Sequence, residues 1–270
     1  MKYQSKSATK YLLRNFWHLA PIGLLAAVLL GLFCNTNAEI LLVKQLVDGT
    51  VNSENVLQKV LHSISLLRFG KYWWGFALAM LVLALTESVF MVKVERHMRV
   101  GEIRGLSLKR SLNAFPTVAI FVLAIVAVME MGNLIAVGVA LLIRYASATV
   151  IVVVSLGFTY FVRVIIALLI GALLFAFPIM ALENYGFANA LSYSVRLMSE
   201  KRKYLWMFAT IYPSLRLALS VVCYFVDSYP FTATIFSVFY LIMTLLLPCI
   251  TFKLYYDTVG GERRDISLFR

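Results

Sequence analysis

A chain of 270 residues that is 61% hydrophobic and 14% charged, with a mean hydropathy of +0.86, lies outside the soluble globular range of about 45–50% apolar and 25% charged. Such a length holds about six spans of roughly 20 residues with their connections, and leaves no room for a soluble catalytic domain of ordinary size. The formal charge of +12 does not indicate nucleic acid: the basic residues gather in loops beside apolar spans, which is the orientation signal of membrane insertion.

Hydrocarbon accepts a backbone only when each polar group is bonded within the segment. The expected fold is therefore all-α: a polytopic transmembrane helical bundle of about six spans, with short amphipathic interfacial helices, making one integral membrane domain over residues 1–270. Lys2, Lys6, Lys10 and Arg14 precede the first span, about 16–33, with Pro21 in its first turns and Trp17 as an interface anchor. Thr36-Asn37-Ala38 loosely resembles a signal-peptidase site. An uncleaved first span is preferred, because the rest of the chain needs the orientation it supplies.

The connection from Asn35 to Lys71 is the longest. Ser53 is placed to cap a helix in which Leu57, Val60, Leu61, Ile64 and Leu67 recur at helical spacing. That helix lies either in the membrane interface or over the bundle. The second span, about 72–92, opens on Trp73 and Trp74 and holds Glu87. Lys93 to Asn113 is the most basic connection, and Ser107 is expected to cap a short helix running into Pro116.

The third span, about 115–143, is interrupted by Glu130, Gly132 and Asn133; the fourth, about 146–182, carries Arg163 in its middle. Both exceed the roughly 20 residues a bilayer needs, so tilt, a kink or protrusion is expected. Reading 115–182 as three spans would put every later basic loop outside, and is set aside. Ser155, Thr159, Arg163, Ala167 and Gly171 fall on one helical face opposite Val, Ile, Leu and Phe. Because a guanidinium facing lipid costs about 2.5–3.5 kcal/mol on insertion scales, this face is expected to turn towards other helices.

Glu183 to Lys203 ends in Lys201, Arg202 and Lys203. Within it, Phe187, Ala190-Leu191, Ser194 and Leu197 recur at helical spacing. A helix there either lies on the inner leaflet, with Arg196 and Lys201 towards anionic phosphates, or caps the bundle. The fifth span is about 204–226, with Pro213 and Arg216, and the sixth about 231–252, with Pro248. Six spans with a cytoplasmic N-terminus place most Lys and Arg inside; the outer connections hold only Lys44, Lys59, Arg68, Lys71 and Arg144. This predicts a multi-pass plasma-membrane protein with both termini cytoplasmic. Gly105 with Ser111-Leu112, and Gly186 with Ser194-Val195, hint at an internal repeat.

Phe177-Pro178-Ile179-Met180-Ala181-Leu182-Glu183, then Gly186, Ala190-Leu191 and Ser194-Val195-Arg196-Leu197, with Trp206 beyond and Leu254-Tyr255-Tyr256-Asp257 closing the sixth span, resemble a broad bacterial family of six-span proteins. That family includes the YciC-like inner-membrane proteins and the membrane domain fused to some glycerophosphodiester phosphodiesterases. The resemblance covers mainly the second half of the chain. It implies a helical bundle with inner amphipathic segments, and no activity.

Four ionisable groups lie within spans: Glu87, Glu130, Arg163 and Arg216. At about 1.5 Å per residue, Glu87 falls at the depth of Arg163, and Glu130 at that of Arg216. The two pairs are expected to neutralise one another, as buried charges must. Such pairs either fix helix packing only, or mark a path for an ion or anionic headgroup lined also by Ser155 and Thr159. Tyr212, Arg216, Ser220 and Cys223, and Ser237, Leu241, Thr244 and Pro248, form further inward faces, as packing seams or cavity lining. Cys34, Cys223 and Cys249 are expected to be packing thiols.

His18, His62 and His97 lie far apart, and no Cys/His spacing suggests zinc, so no cofactor or metal is expected. No nucleophile–base cluster is apparent, so the chain reads as non-enzymatic. The leading expectation is a scaffold or accessory subunit in envelope or lipid homeostasis. The alternative is a small transporter or lipid flippase that uses the intramembrane Arg and Glu residues. Expected partners are membrane lipids, those of the anionic inner leaflet above all, and other membrane proteins, but not nucleic acid.

Overall fold

The computed structural model describes residues 2–34, 38–48, 73–101, 108–183, 186–226 and 228–259. The helix expected over Ser53–Arg68, the Ser107 cap, Gly105 of the suspected repeat and the tail from Gly260 lie outside the described residues. The helices are α1 (Lys2–Phe33), α2 (Ala38–Val47), α3 (Trp73–Val100), α4 (Leu108–Leu142), α5 (Ala148–Leu173), α6 (Ala176–Glu183), α7 (Phe187–Glu200), α8 (Arg202–Val226) and α9 (Tyr229–Val259). No strand occurs among the described residues. Six helical stretches, within α1, α3, α4, α5 with α6, α8 and α9, are long and apolar enough to cross a membrane. The all-α bundle with about six spans is therefore present, and the chain is an integral, multi-pass membrane protein on that measure.

The long helices form a ring in the order α9, α1, α3, α4, α5, α8. The α1–α9 seam is the most extensive, and the α8–α9 seam that closes the ring is the sparsest. Small residues explain the first. Gly23, Ala27 and Gly31 recur every four residues on α1, and such stripes let helix backbones approach closely. A Cβ on Gly31 would meet Ser237 Oγ, and would lie 2.6 Å from Ala233 O and 2.8 Å from Ser237 N on α9. The expected Ser237–Leu241 face is thus a packing seam. Beyond it, Tyr229 Oη donates to Leu32 O at 3.0 Å, serving a carbonyl in the last turn of α1, where helical donors run out.

At the opposite end, where most Lys and Arg gather, α1 and α3 are joined by polar contacts. Tyr11 Oη and His97 Nδ1 are 2.8 Å apart, and Lys93 Nζ donates to His18 O at 3.3 Å. This corrects the placement of Pro21. The basic leader is itself helical, so Pro21 sits in the interior of α1 rather than its first turns. A proline there removes the donor to Trp17 O and opens the turn, beside the His18 carbonyl that Lys93 reaches. Trp206 and the Trp73-Trp74 pair are exposed near helix ends, as interface anchors are, whereas Trp17 is exposed midway along α1.

The two overlong spans resolve differently. Leu108–Leu142 is one continuous helix through Pro116, so no separate short helix precedes the third span. The fourth breaks at Leu174–Phe175, between α5 and α6. Pro178 has no N–H to offer Leu174 O, and so favours a break at that point. Next to the break, Ala172 O accepts from Ser194 Oγ of α7 at 2.8 Å. Helix α7 is thereby tied to the bundle: Ala190, Ser194, Leu197 and Met198 are buried, and Phe187, Val195 and Arg196 are exposed. It caps the bundle with one face and leaves the other outward.

The short helix α2 was hidden in the long first connection. Leu42 and Leu46, one turn apart, pack against Ala136, Val137 and Ala140 of α4 and Ile151 of α5. The three cysteines are buried, and none forms a disulfide among the described residues.

Gly31→Ala is expected to lower the stability of the detergent-solubilised protein by about 1–3 kcal/mol, the usual effect of overpacking, read as a lower thermal midpoint. Ser237→Gly should not restore it, because the backbone atoms of Ala233 and Ser237 stay in place. An unchanged midpoint would show that α1 and α9 do not approach so closely.

Candidate functional site

All five residues of the expected α5 face, Ser155, Thr159, Arg163, Ala167 and Gly171, are buried. The stripe turns inward because its opposite side is wholly aliphatic and aromatic, and only that side suits lipid. Arg163 is 7% exposed. Its Nη2 donates to Asn133 Oδ1 of α4 at 2.8 Å, and Asn133 Nδ2 donates to Glu130 Oε2 at 3.1 Å. The amide thus faces the guanidinium with its acceptor and the carboxylate with its donors, the one orientation in which both bonds form.

The relay corrects the pairing by depth. Glu130 is linked to Arg163 through Asn133, one helical turn along α4. Glu87 makes no ion pair with Arg163, nor with any other of the described residues. Depth along a helix axis says nothing about the direction in which a side chain leaves it. Glu130 and Asn133 point from α4 towards α5, whereas Glu87 leaves α3 elsewhere on the ring.

Inside the ring lies a cavity of about 380 Å³, within the size range of small-molecule sites, about 300–1,000 Å³. Its wall is overwhelmingly apolar. The structure brings Glu87, Thr159, Arg163 and Arg216 to this one surface, from α3, α5 and α8, with Thr244 of α9 beside them. Ser155 and Glu130 do not line it: Ser155 is buried on the same α5 face, and Glu130 stands behind Asn133. Arg216 is 3% exposed, on the inward α8 face with Ser220 and Cys223. Glu87 is 8% exposed, and its Oε2 has no hydrogen-bond partner.

The cavity runs along much of the bundle. Met198 of α7, Tyr204 of α8 and Leu254 of α9 line it at the basic end; Cys34 of α1 and Phe76 of α3 line it towards the other. Met207 and Ile211 of α8 both line it and are exposed, so the cavity reaches the outer side of α8. The expected surface segment is separate. Arg196, Arg202 and Lys203 are exposed and Lys201 half-buried around the α7–α8 turn, outside the cavity.

Sequence reasoning missed Asn133 as a ligand of Arg163, treating it only as an interruption of an apolar span. The available signal was its spacing: a carboxylate and an amide three apart share a helix face. No group of three or more His, Cys, Asp or Glu placed to hold a metal occurs among the described residues. No protein-family model, curated protein or solved structure matches the chain.

Asn133→Leu strands the buried Arg163 bond and is expected to destabilise the protein by about 1–3 kcal/mol, measured by unfolding in mixed micelles. Adding Arg163→Leu should recover at least half of that loss, because a removed charge needs no partner. Additive losses in the double variant would contradict the relay.

Proposed function

We propose that this protein binds a membrane amphiphile with an anionic headgroup in the cavity of its bundle and passes it along the bundle axis, as a small lipid transporter or flippase does. The observation that carries this reading is the joint presence of Arg163, Arg216 and Glu87 on the wall of one apolar cavity that reaches the outer side of α8. A phosphate is matched by guanidinium groups, whose planar donors suit its oxygens. Acyl chains suit the apolar wall and leave through the gap beside α8 into surrounding lipid. Because the cavity extends towards both ends of the bundle, a headgroup held at mid-height has a route towards either leaflet.

The exposed basic cluster at the α7–α8 turn supports a plasma-membrane protein whose α7 end faces the cytoplasm. There Arg196, Lys201, Arg202 and Lys203 would meet anionic headgroups, each worth about 1 kcal/mol near such a surface. The resemblance of the second half to the YciC-like family fits the same setting. A second reading, a non-enzymatic scaffold or accessory subunit for other membrane proteins, is favoured by the outward face of α7, with Phe187 and Val195 exposed. It does not explain why a bundle of this size keeps a cavity with three charged groups on its wall.

Thr159→Phe fills part of the cavity from a position that makes none of the relay bonds. It is expected to reduce phospholipid co-purified per protein at least threefold, by mass spectrometry of extracts, at unchanged yield of folded protein. Transfer of fluorescent anionic lipid between leaflets of vesicles carrying the protein should fall in parallel. Unchanged lipid content and transfer would leave the scaffold reading.

A further inference from the structure

The arginines explain an anion, but not Glu87. A carboxyl group buried in an apolar wall without hydrogen-bond or ionic partners is costly to keep. Glu87 is more than nine-tenths buried, its Oε2 makes no hydrogen bond, and it lines the same cavity as both arginines. Apolar residues of α3 and α9 surround it: Phe90 and Met91, one turn further along α3, and Cys249 and Phe252 of α9 all belong to one hydrophobic cluster. Packing gives no reason for a carboxyl there, since a methionine or leucine would fill the space. The cavity therefore has poles of both signs, and its occupant should too.

Resting on the lipid-binding reading, we propose that Glu87 is the subsite for a primary ammonium group, and that the ligand is a zwitterionic amphiphile carrying both a phosphate and an amine, as an aminophospholipid does. The phosphate oxygens take the arginine side of the cavity and the ammonium takes Glu87. A primary ammonium has three N–H donors and makes a short charge-assisted bond to a carboxylate. A quaternary choline head has no N–H to donate and leaves the carboxylate oxygen unserved. A glycerol head carries no cation. Glu87 thus discriminates among headgroups, while the arginines accept any phosphodiester.

The test uses the full-length protein in detergent, with phosphatidylethanolamine, phosphatidylcholine and phosphatidylglycerol of identical short acyl chains as probes and native mass spectrometry as readout. Wild type should prefer phosphatidylethanolamine over phosphatidylcholine by about tenfold, equivalent to about 1.4 kcal/mol. Glu87→Gln keeps the size of the side chain and should bring that ratio close to one, with phosphatidylglycerol binding unchanged. A second measurement needs no variant. Dicyclohexylcarbodiimide attacks carboxyl groups in apolar surroundings, and its adduct on wild-type Glu87, found by peptide mapping, should be suppressed by phosphatidylethanolamine but not by phosphatidylcholine. If Glu87→Gln does not fold, this protection decides the matter.

Equal binding of the three lipids by wild type, or equal protection by the two, overturns the ammonium subsite. If Thr159→Phe still abolishes that indiscriminate binding, the cavity remains a lipid site and only the role of Glu87 is wrong. If Thr159→Phe changes nothing, the lipid-binding reading itself has failed.

Discussion

A guanidinium at the middle of a membrane-spanning helix constrains everything around it. Arg163 cannot face lipid without a penalty of several kcal/mol, so α5 must present that side to neighbours. Those neighbours must bring acceptors, because a buried ion without them is worse than none. Asn133 meets this demand at 2.8 Å and is itself held by Glu130. The bond requires the Asn133 face of α4 and the Arg163 face of α5 to look towards one another. Once α5 is set, Thr159, Ala167 and Gly171 follow inward on the same stripe, and the cavity wall on that side is determined.

Two kinds of helix contact then divide the work. Along α1 and α9 the helices meet through Gly31, Ala233 and Ser237 with almost no space between backbones. Such a seam is stiff, since dispersion at close range tolerates little displacement. Along α8 and α9 contact is sparse, and long side chains of these two helices, Met207, Ile211 and Met243, line the cavity. Methionine fills space without fixing it. One seam of the ring is thus close-packed, and the one beside it is loosely joined.

The sequence made some of this legible. The inward stripe of α5 was readable because five small, polar or charged residues at four-residue spacing stand out in an otherwise Val-, Ile- and Leu-rich run. The α7 helix was readable from the same period, although its choice between membrane surface and bundle cap depended on Ser194 finding a carbonyl 22 residues away. The partner of Arg163 was not readable from depth alone, since four charged groups at similar heights can pair in several ways until the ring order is known. The position of Pro21 misled because the polar leader continues the first span as helix: Lys and Arg are good helix formers, so a change in polarity need not mark a helix end. Helix α2 was obscured because ten residues carry too little periodicity to stand apart from a connection.

The tightest seam in the bundle joins residues 197 positions apart, as the Tyr229–Leu32 bond measures. During synthesis α1 enters the membrane early, with its stripe of Gly23, Ala27 and Gly31 turned towards nothing that yet exists. Closure must wait until α9 emerges from the ribosome, after every other helix has been inserted. Until then the first helix is a vacancy that any membrane helix with a smooth flank can occupy, and a chain stalled before α9 would display that vacancy permanently. An unfinished copy thus differs from a complete one by a glycine groove still open to lipid.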